Sequence, residues 1–139
     1  MTKNLQINLT KVSDIDKNEY SITIATCANK ESARKIAKLL IERQLAACVQ
    51  MFPVESVYIW KDEICYDNET VLFVKSKTVL FNKIMVAIKE NHTYEIPEII
   101  QIPITGGLSE YLKWIDESTL HENVDNKVNV RKIVEENKS

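Results

Sequence analysis

From Tyr20 the chain alternates, with Ile22 and Ile24 set between Ser21, Thr23 and Ala25, the period of a strand with one face buried. The spacing predicts a strand over 20–27. Asn29 then offers a side-chain oxygen to the amides of a first helical turn, and Ala33, Ile36, Ala37 and Leu40 recur at i, i+3, i+4 and i+7. A helix is expected over about 30–46. Cys48–Phe52 and Val54–Trp60 are β-branched and aromatic, interrupted by Pro53, which cannot donate to a ladder and belongs on an edge or at a bulge. Lys61-Asp62-Glu63 supplies a polar turn, after which Ile64–Tyr66 and Val71–Lys75 resume strand character, so the two runs pair as an antiparallel hairpin.

Phe81, Ile84, Met85 and Ile88 mark a second helix, opening near Ser76 or Thr78 and ending around His92, with Pro97 barring continuation. Ile99–Ile104 forms a short strand carrying Pro103, and past Gly106-Gly107 the positions Leu108, Tyr111, Leu112 and Ile115 predict a last helix to about 119. Residues 1–18 mix polar side chains with isolated aliphatics, as a short strand or a loosely held tail, and 121–139 turn polar again. One domain over 19–120 lies between two tails. Its order of elements is that of an α+β, ferredoxin-like βαββαβ antiparallel sheet, both helices on one face, with an added C-terminal helix.

Composition narrows the function. With 139 residues, 45% of them hydrophobic, the chain can bury a core without staples. Its 18 basic and 20 acidic residues give a net charge of −2 and no polyanion-binding surface, and Val71–Lys75 lacks the aromatic run of an RNA-reading strand, so no nucleic-acid partner is expected. The two glycines are adjacent, so neither a GxGxxG turn nor a GxxxxGK[ST] loop exists. Three separated cysteines argue against a disulfide framework or a structural zinc site and for a reducing, cytoplasmic compartment. No apolar run is long enough to span a bilayer.

Candidate chemistry concentrates in His92-Thr93-Tyr94-Glu95-Ile96-Pro97-Glu98, an imidazole, a phenol and two carboxylates between a helix and a strand. His92 serves there either as a cap on helix carbonyls or in function, whereas His121 falls in the polar tail. Cys27, at a strand end, is a soft ligand or a small buried hydrophobe. Tyr58, Trp60 and Tyr66 at the hairpin tip fit a core or a partner surface, the partner being another copy of the chain. An acylphosphatase on this topology wants an arginine in a phosphate-cradling loop; here that loop is Cys27-Ala28-Asn29-Lys30, and no enzyme activity is expected.

Five motifs in order carry a family resemblance: Ala33–Ala37 leading into Glu42-Arg43-Gln44-Leu45-Ala46-Ala47-Cys48, then Tyr58-Ile59-Trp60-Lys61, Lys75, the 92–98 segment, and Tyr111-Leu112-Lys113-Trp114. Over about residues 20–119 the chain resembles the CutA family, named for divalent-cation tolerance. The resemblance implies a homotrimer similar in architecture to PII signalling proteins, and binding of a divalent cation, copper above all. It implies metal ligands at His92, Glu98 and, from a cysteine near the first strand, Cys27. Thr93 stands where the family usually has proline, and Asp62 where glycine is common. A PII-like alternative has a small molecule or protein bound in clefts between subunits, with Trp60, Lys75 and Tyr94 as pocket groups and metal incidental.

Overall fold

The computed structural model describes residues 9–10 and 19–121; the remainder of both predicted tails lies outside the described residues. Leu9–Thr10 forms a two-residue strand, β1. The alternating run becomes β2 (Tyr20–Cys27), and α1 (Lys30–Glu42) follows, its first turn capped by the Asn29 side chain, which accepts from the Ser32 amide at 2.8 Å. β3 (Cys48–Trp60) and β4 (Glu63–Lys77) make one long hairpin. A 3₁₀ turn over Thr78–Leu80 leads into α2 (Phe81–Glu90), then β5 (Ile99–Pro103), β6 (Gly107–Leu108) and α3 (Ser109–Glu117). The four long strands lie in the order β3-β4-β2-β5, every pair antiparallel, which is the ferredoxin-like arrangement; β1 pairs with β6 beside it.

Alternation assigns the faces of this sheet. Ala25 and Cys27 of β2, with Leu72 and Val74 of β4, pack against Ala33, Ile36, Ala37 and Leu40 of α1 and Ile84, Ala87 and Ile88 of α2, so both helices cover one face. Each large side chain buried there contributes about 1.5–3 kcal/mol against chain entropy. Polar groups on that face are satisfied: Ser76 Oγ donates to the Leu45 carbonyl at 2.6 Å, and Gln101 Nε2 to Ser21 Oγ at 3.0 Å. On the other face Ile22 and Ile24 are half-buried, while Phe52, Ile100 and Ile102 are exposed. α3 reaches β4 through a Lys77 Nζ–Asp116 Oδ1 ion pair of 3.3 Å and by placing Tyr111 5.5 Å from Lys75 Nζ.

The structure departs from the sequence pattern at several ends. α1 stops at Glu42 rather than near 46, because Gln44 takes a left-handed φ of 55° and the chain doubles back: Gln44 N–H bonds the Ile41 carbonyl and Leu45 N–H the Leu40 carbonyl. Leu45 keeps the helical apolar rhythm yet reaches the core from beyond the helix. β4 is continuous, where the polar run Asp67-Asn68-Glu69-Thr70 suggested a break, since each of these residues has a ladder partner on β3. Pro53 lies in β3, an edge strand with only β4 beside it, where a missing N–H is tolerated. α2 ends at Glu90, and its cap is Asn91, whose Nδ2 donates to the Ala87 carbonyl at 2.8 Å, so His92 does not cap the helix.

The hairpin outruns its sheet. β2 pairs with β4 only as far as Cys27 opposite Thr70, so Val54–Trp60 and Glu63–Glu69 pair with each other alone, in a ribbon of about 24 Å. Its two-residue turn puts Lys61 at φ 51° and Asp62 at φ 63°, the left-handed pair that matches strand twist and accounts for glycine being common at the second position.

Candidate functional site

The segment after α2 is stitched onto the sheet by its own polar side chains. His92 Nε2 lies 2.6 Å from the Thr26 carbonyl, which only accepts, so this nitrogen carries the proton; Nδ1 accepts the Tyr94 backbone N–H at 3.0 Å. The imidazole is therefore the neutral Nε2–H tautomer with both nitrogens engaged. Two residues on, the Tyr94 hydroxyl donates to Glu69 Oε2 at 2.9 Å, and the His92 and Tyr94 rings sit 4.8 Å apart. Thr26 is the penultimate residue of β2 and Glu69 is where β4 leaves the four-stranded sheet, so the loop is pinned where ribbon and sheet meet.

These bonds enclose a cleft of ≈ 670 Å³ between loop and ribbon. Thr26 lines it from β2, Ser56, Val57, Tyr58 and Trp60 from β3, Glu69 from β4, and Thr93, Tyr94, Glu95, Ile96 and Glu98 from the loop, with no lysine or arginine among the described residues of the wall. Alternation explains the ribbon's share, because 56, 58 and 60 on β3 and 67 and 69 on β4 point to one face. The Tyr58 hydroxyl donates to Asp67 on the neighbouring strand. That bond, with some burial and the nearby negative charge, pushes the Tyr58 phenol up to about 12. Burial first, then the bond to Glu69 and the surrounding carboxylates, pushes the Tyr94 phenol up further. Both rings stay protonated and held in place at neutral pH.

Of the residues singled out in the sequence, the structure brings Trp60, Tyr94 and Glu98 to this cleft. His92 sits behind its wall, gripping the loop. Lys75, expected as a pocket group, is six residues along β4 from Glu69, roughly 20 Å away, with its ammonium over Tyr111. Cys27 is 1% exposed and packs in the helix-side core as a small hydrophobe, where burial, with the Glu69 charge nearby, pushes its thiol up to about 11. Among the described residues, no three His, Cys, Asp or Glu side chains of one chain gather to hold an ion. Sequence reasoning missed Asp67 and Glu69, the anchors of both phenols; the available signal was a polar run that keeps strand spacing opposite Val54–Ser56.

The CutA1 divalent ion tolerance protein family matches this chain over residues 21–118. The divalent-cation tolerance protein CutA of Thermus thermophilus is 42% identical over 99 residues, 70% of this chain and 96% of that protein. A CutA homolog of Danio rerio is 42% identical over 100 residues, 71% of this chain and 67% of its own length. The chloroplastic CutA of Arabidopsis thaliana is 36% identical over 111 residues, and this chain spans only 61% of it. Among solved structures, the Thermus thermophilus protein superposes with a TM-score of 0.71 at 41% identity, covering 73% of this chain and 99% of that one. The periplasmic divalent cation tolerance protein CutA of Archaeoglobus fulgidus gives 0.71 at 38% identity, covering 71% and 97%.

Proposed function

The chain belongs to the CutA1 divalent ion tolerance family, and on that premise we propose that it is a non-catalytic, homotrimeric protein of the cytoplasm that binds a divalent cation, copper in preference. The observation that carries this reading is the state of His92. Its Nε2–H is committed to a backbone carbonyl, the arrangement that orients a metal-binding imidazole, and the Nδ1 lone pair is held only by one amide N–H. That amide bond is worth about 1 kcal/mol net, little against a metal–imidazole bond, so an ion taken by Nδ1 frees Tyr94 and shifts the cleft wall.

Imidazole with the cleft carboxylates, Glu98 foremost, suits Cu²⁺ or Zn²⁺. Among the described residues, the donors of one chain do not converge, which fits a site completed by a neighbouring copy. Cys27, buried in the helix-side core, is left out of the proposed ligand set. Calorimetric titration with Cu²⁺ and Zn²⁺ tests the reading. Saturable binding is expected, weakened by Glu98→Gln, lost in His92→Ala and unchanged in Cys27→Ser. Binding that survives both His92→Ala and Glu98→Gln contradicts it and favours the PII-like alternative, a module for a small ligand in which metal is incidental.

A further inference from the structure

The walls of the cleft are of one chemical character. Two rings of β3, Tyr58 and Trp60, face the loop's Tyr94 across a space whose charged members are Glu69, Glu95 and Glu98. Both phenols already spend their protons on Asp67 and Glu69, so these rings present π faces and no free donor toward a ligand. Aromatic faces carry negative quadrupole charge, carboxylates carry full charge, and the volume falls within the range of small-molecule sites. The protein's own cation already lies in this field: Lys61, the first residue of the turn, holds its Nζ 6.0 Å from the Trp60 ring centroid.

From this we propose that the cleft binds an organic ammonium ion, the alkylated nitrogen against Trp60, Tyr58 and Tyr94 and its charge balanced by the glutamates. An anion is repelled here, and a neutral apolar ligand gains nothing from three carboxylates. A bare metal ion has no use for the rings, so this ligand class is distinct from the divalent cation and does not rest on that reading. The ribbon also leaves the cleft accessible to a small molecule when a partner docks on its other side, because Ile59, Ile64 and Tyr66 point to the opposite face.

Choline and tetramethylammonium are the probes, with 3,3-dimethyl-1-butanol as the uncharged isostere of choline. Titrations use the full chain in its native assembly, in the presence of chelator so that metal plays no part. Trp114→Phe leaves Trp60 as the single tryptophan, and its fluorescence reports occupancy alongside calorimetry. The expected result is saturable choline binding that the neutral isostere shows about 10-fold more weakly or not at all. Trp60→Leu abolishes it, Trp60→Phe retains part of it, and Lys61→Gln tightens it by removing the resident cation. Equal affinity for choline and its neutral isostere, binding unchanged in Trp60→Leu, or no binding by either ammonium probe overturns the proposal. Because metal is absent throughout, none of these outcomes bears on the His92 reading.

Discussion

The two halves of the β3–β4 hairpin obey different rules. In the inner half, Cys48–Pro53 pairs with Thr70–Lys75 inside the four-stranded sheet, and Leu72 and Val74 are fully buried under the helices. In the outer half the strands have only each other. There Val57, Ile59, Ile64 and Tyr66 share one face at 58, 72, 68 and 69% exposure, and Tyr58 and Trp60 share the other. A two-stranded ribbon is marginal in water, and a row of large apolar side chains on it is costly unless another surface covers it. The inner half is explained by this chain's own core; the outer half is not, and on the readings proposed above a second copy covers its apolar face and a ligand its aromatic one.

The sharpest way to separate the halves is to truncate one residue in each. Leu72→Ala removes a fully buried side chain between β2 and β3 and is expected to cost about 2–5 kcal/mol of unfolding free energy by denaturant titration. Ile59→Ala, at 72% exposure, should leave the folding of a single chain nearly untouched and act only on assembly. A Leu72→Ala variant as stable as the parent places the core elsewhere.

Cys27 reports the inner half through pH. Its thiol is pushed from about 9 up to about 11, so above pH 9 the unfolded chain loses this proton while the folded chain keeps it. Stability credited to the neutral thiol is thus complete below pH 9 and is lost as pH rises toward 11, an effect on the order of 2 kcal/mol. The Cys27→Ala variant should show a flatter decline over that window in thermal melts; parallel curves exclude the thiol as the cause.

Tyr94→Phe tests the junction between the halves. Losing the hydroxyl's bond to Glu69 should cost about 1 kcal/mol and raise amide exchange over 92–98, with the core unchanged. A smaller effect of opposite sign is expected at the end of α1. Gln44 holds φ 55° with a side chain, so Gln44→Gly should stabilise by about 0.5–1 kcal/mol, read as a raised melting temperature.

Which of these features the sequence made visible follows from the same contrast. Where one chain buries its own surface, periodicity suffices: the i, i+3, i+4, i+7 stripe from Ala33 to Leu40 and the alternation from Ser21 to Ala25 reappear as buried faces. The end of α1 was hidden because a left-handed glutamine, with no glycine, turns the chain while Leu45 preserves the apolar rhythm. The unbroken β4 was hidden because its polar run is paired on a ribbon open to water, where nothing selects for apolar residues. In the site, the density of ligand-type residues over 92–98 marked the loop that walls the cleft, and Trp60, Tyr94 and Glu98 meet there. The phenol anchors Asp67 and Glu69, and the grip of His92 on Thr26 across 66 positions, come from tertiary pairing that no local spacing encodes.

Light scattering on the purified chain, parent beside Ile59→Asp, tests most directly whether another copy completes the outer half of the hairpin. The parent is expected at three times the 16.0 kDa chain mass, and the variant at the single-chain mass with its secondary structure intact. A parent that already runs at 16.0 kDa, or an Ile59→Asp variant that keeps the assembled mass, contradicts this assembly.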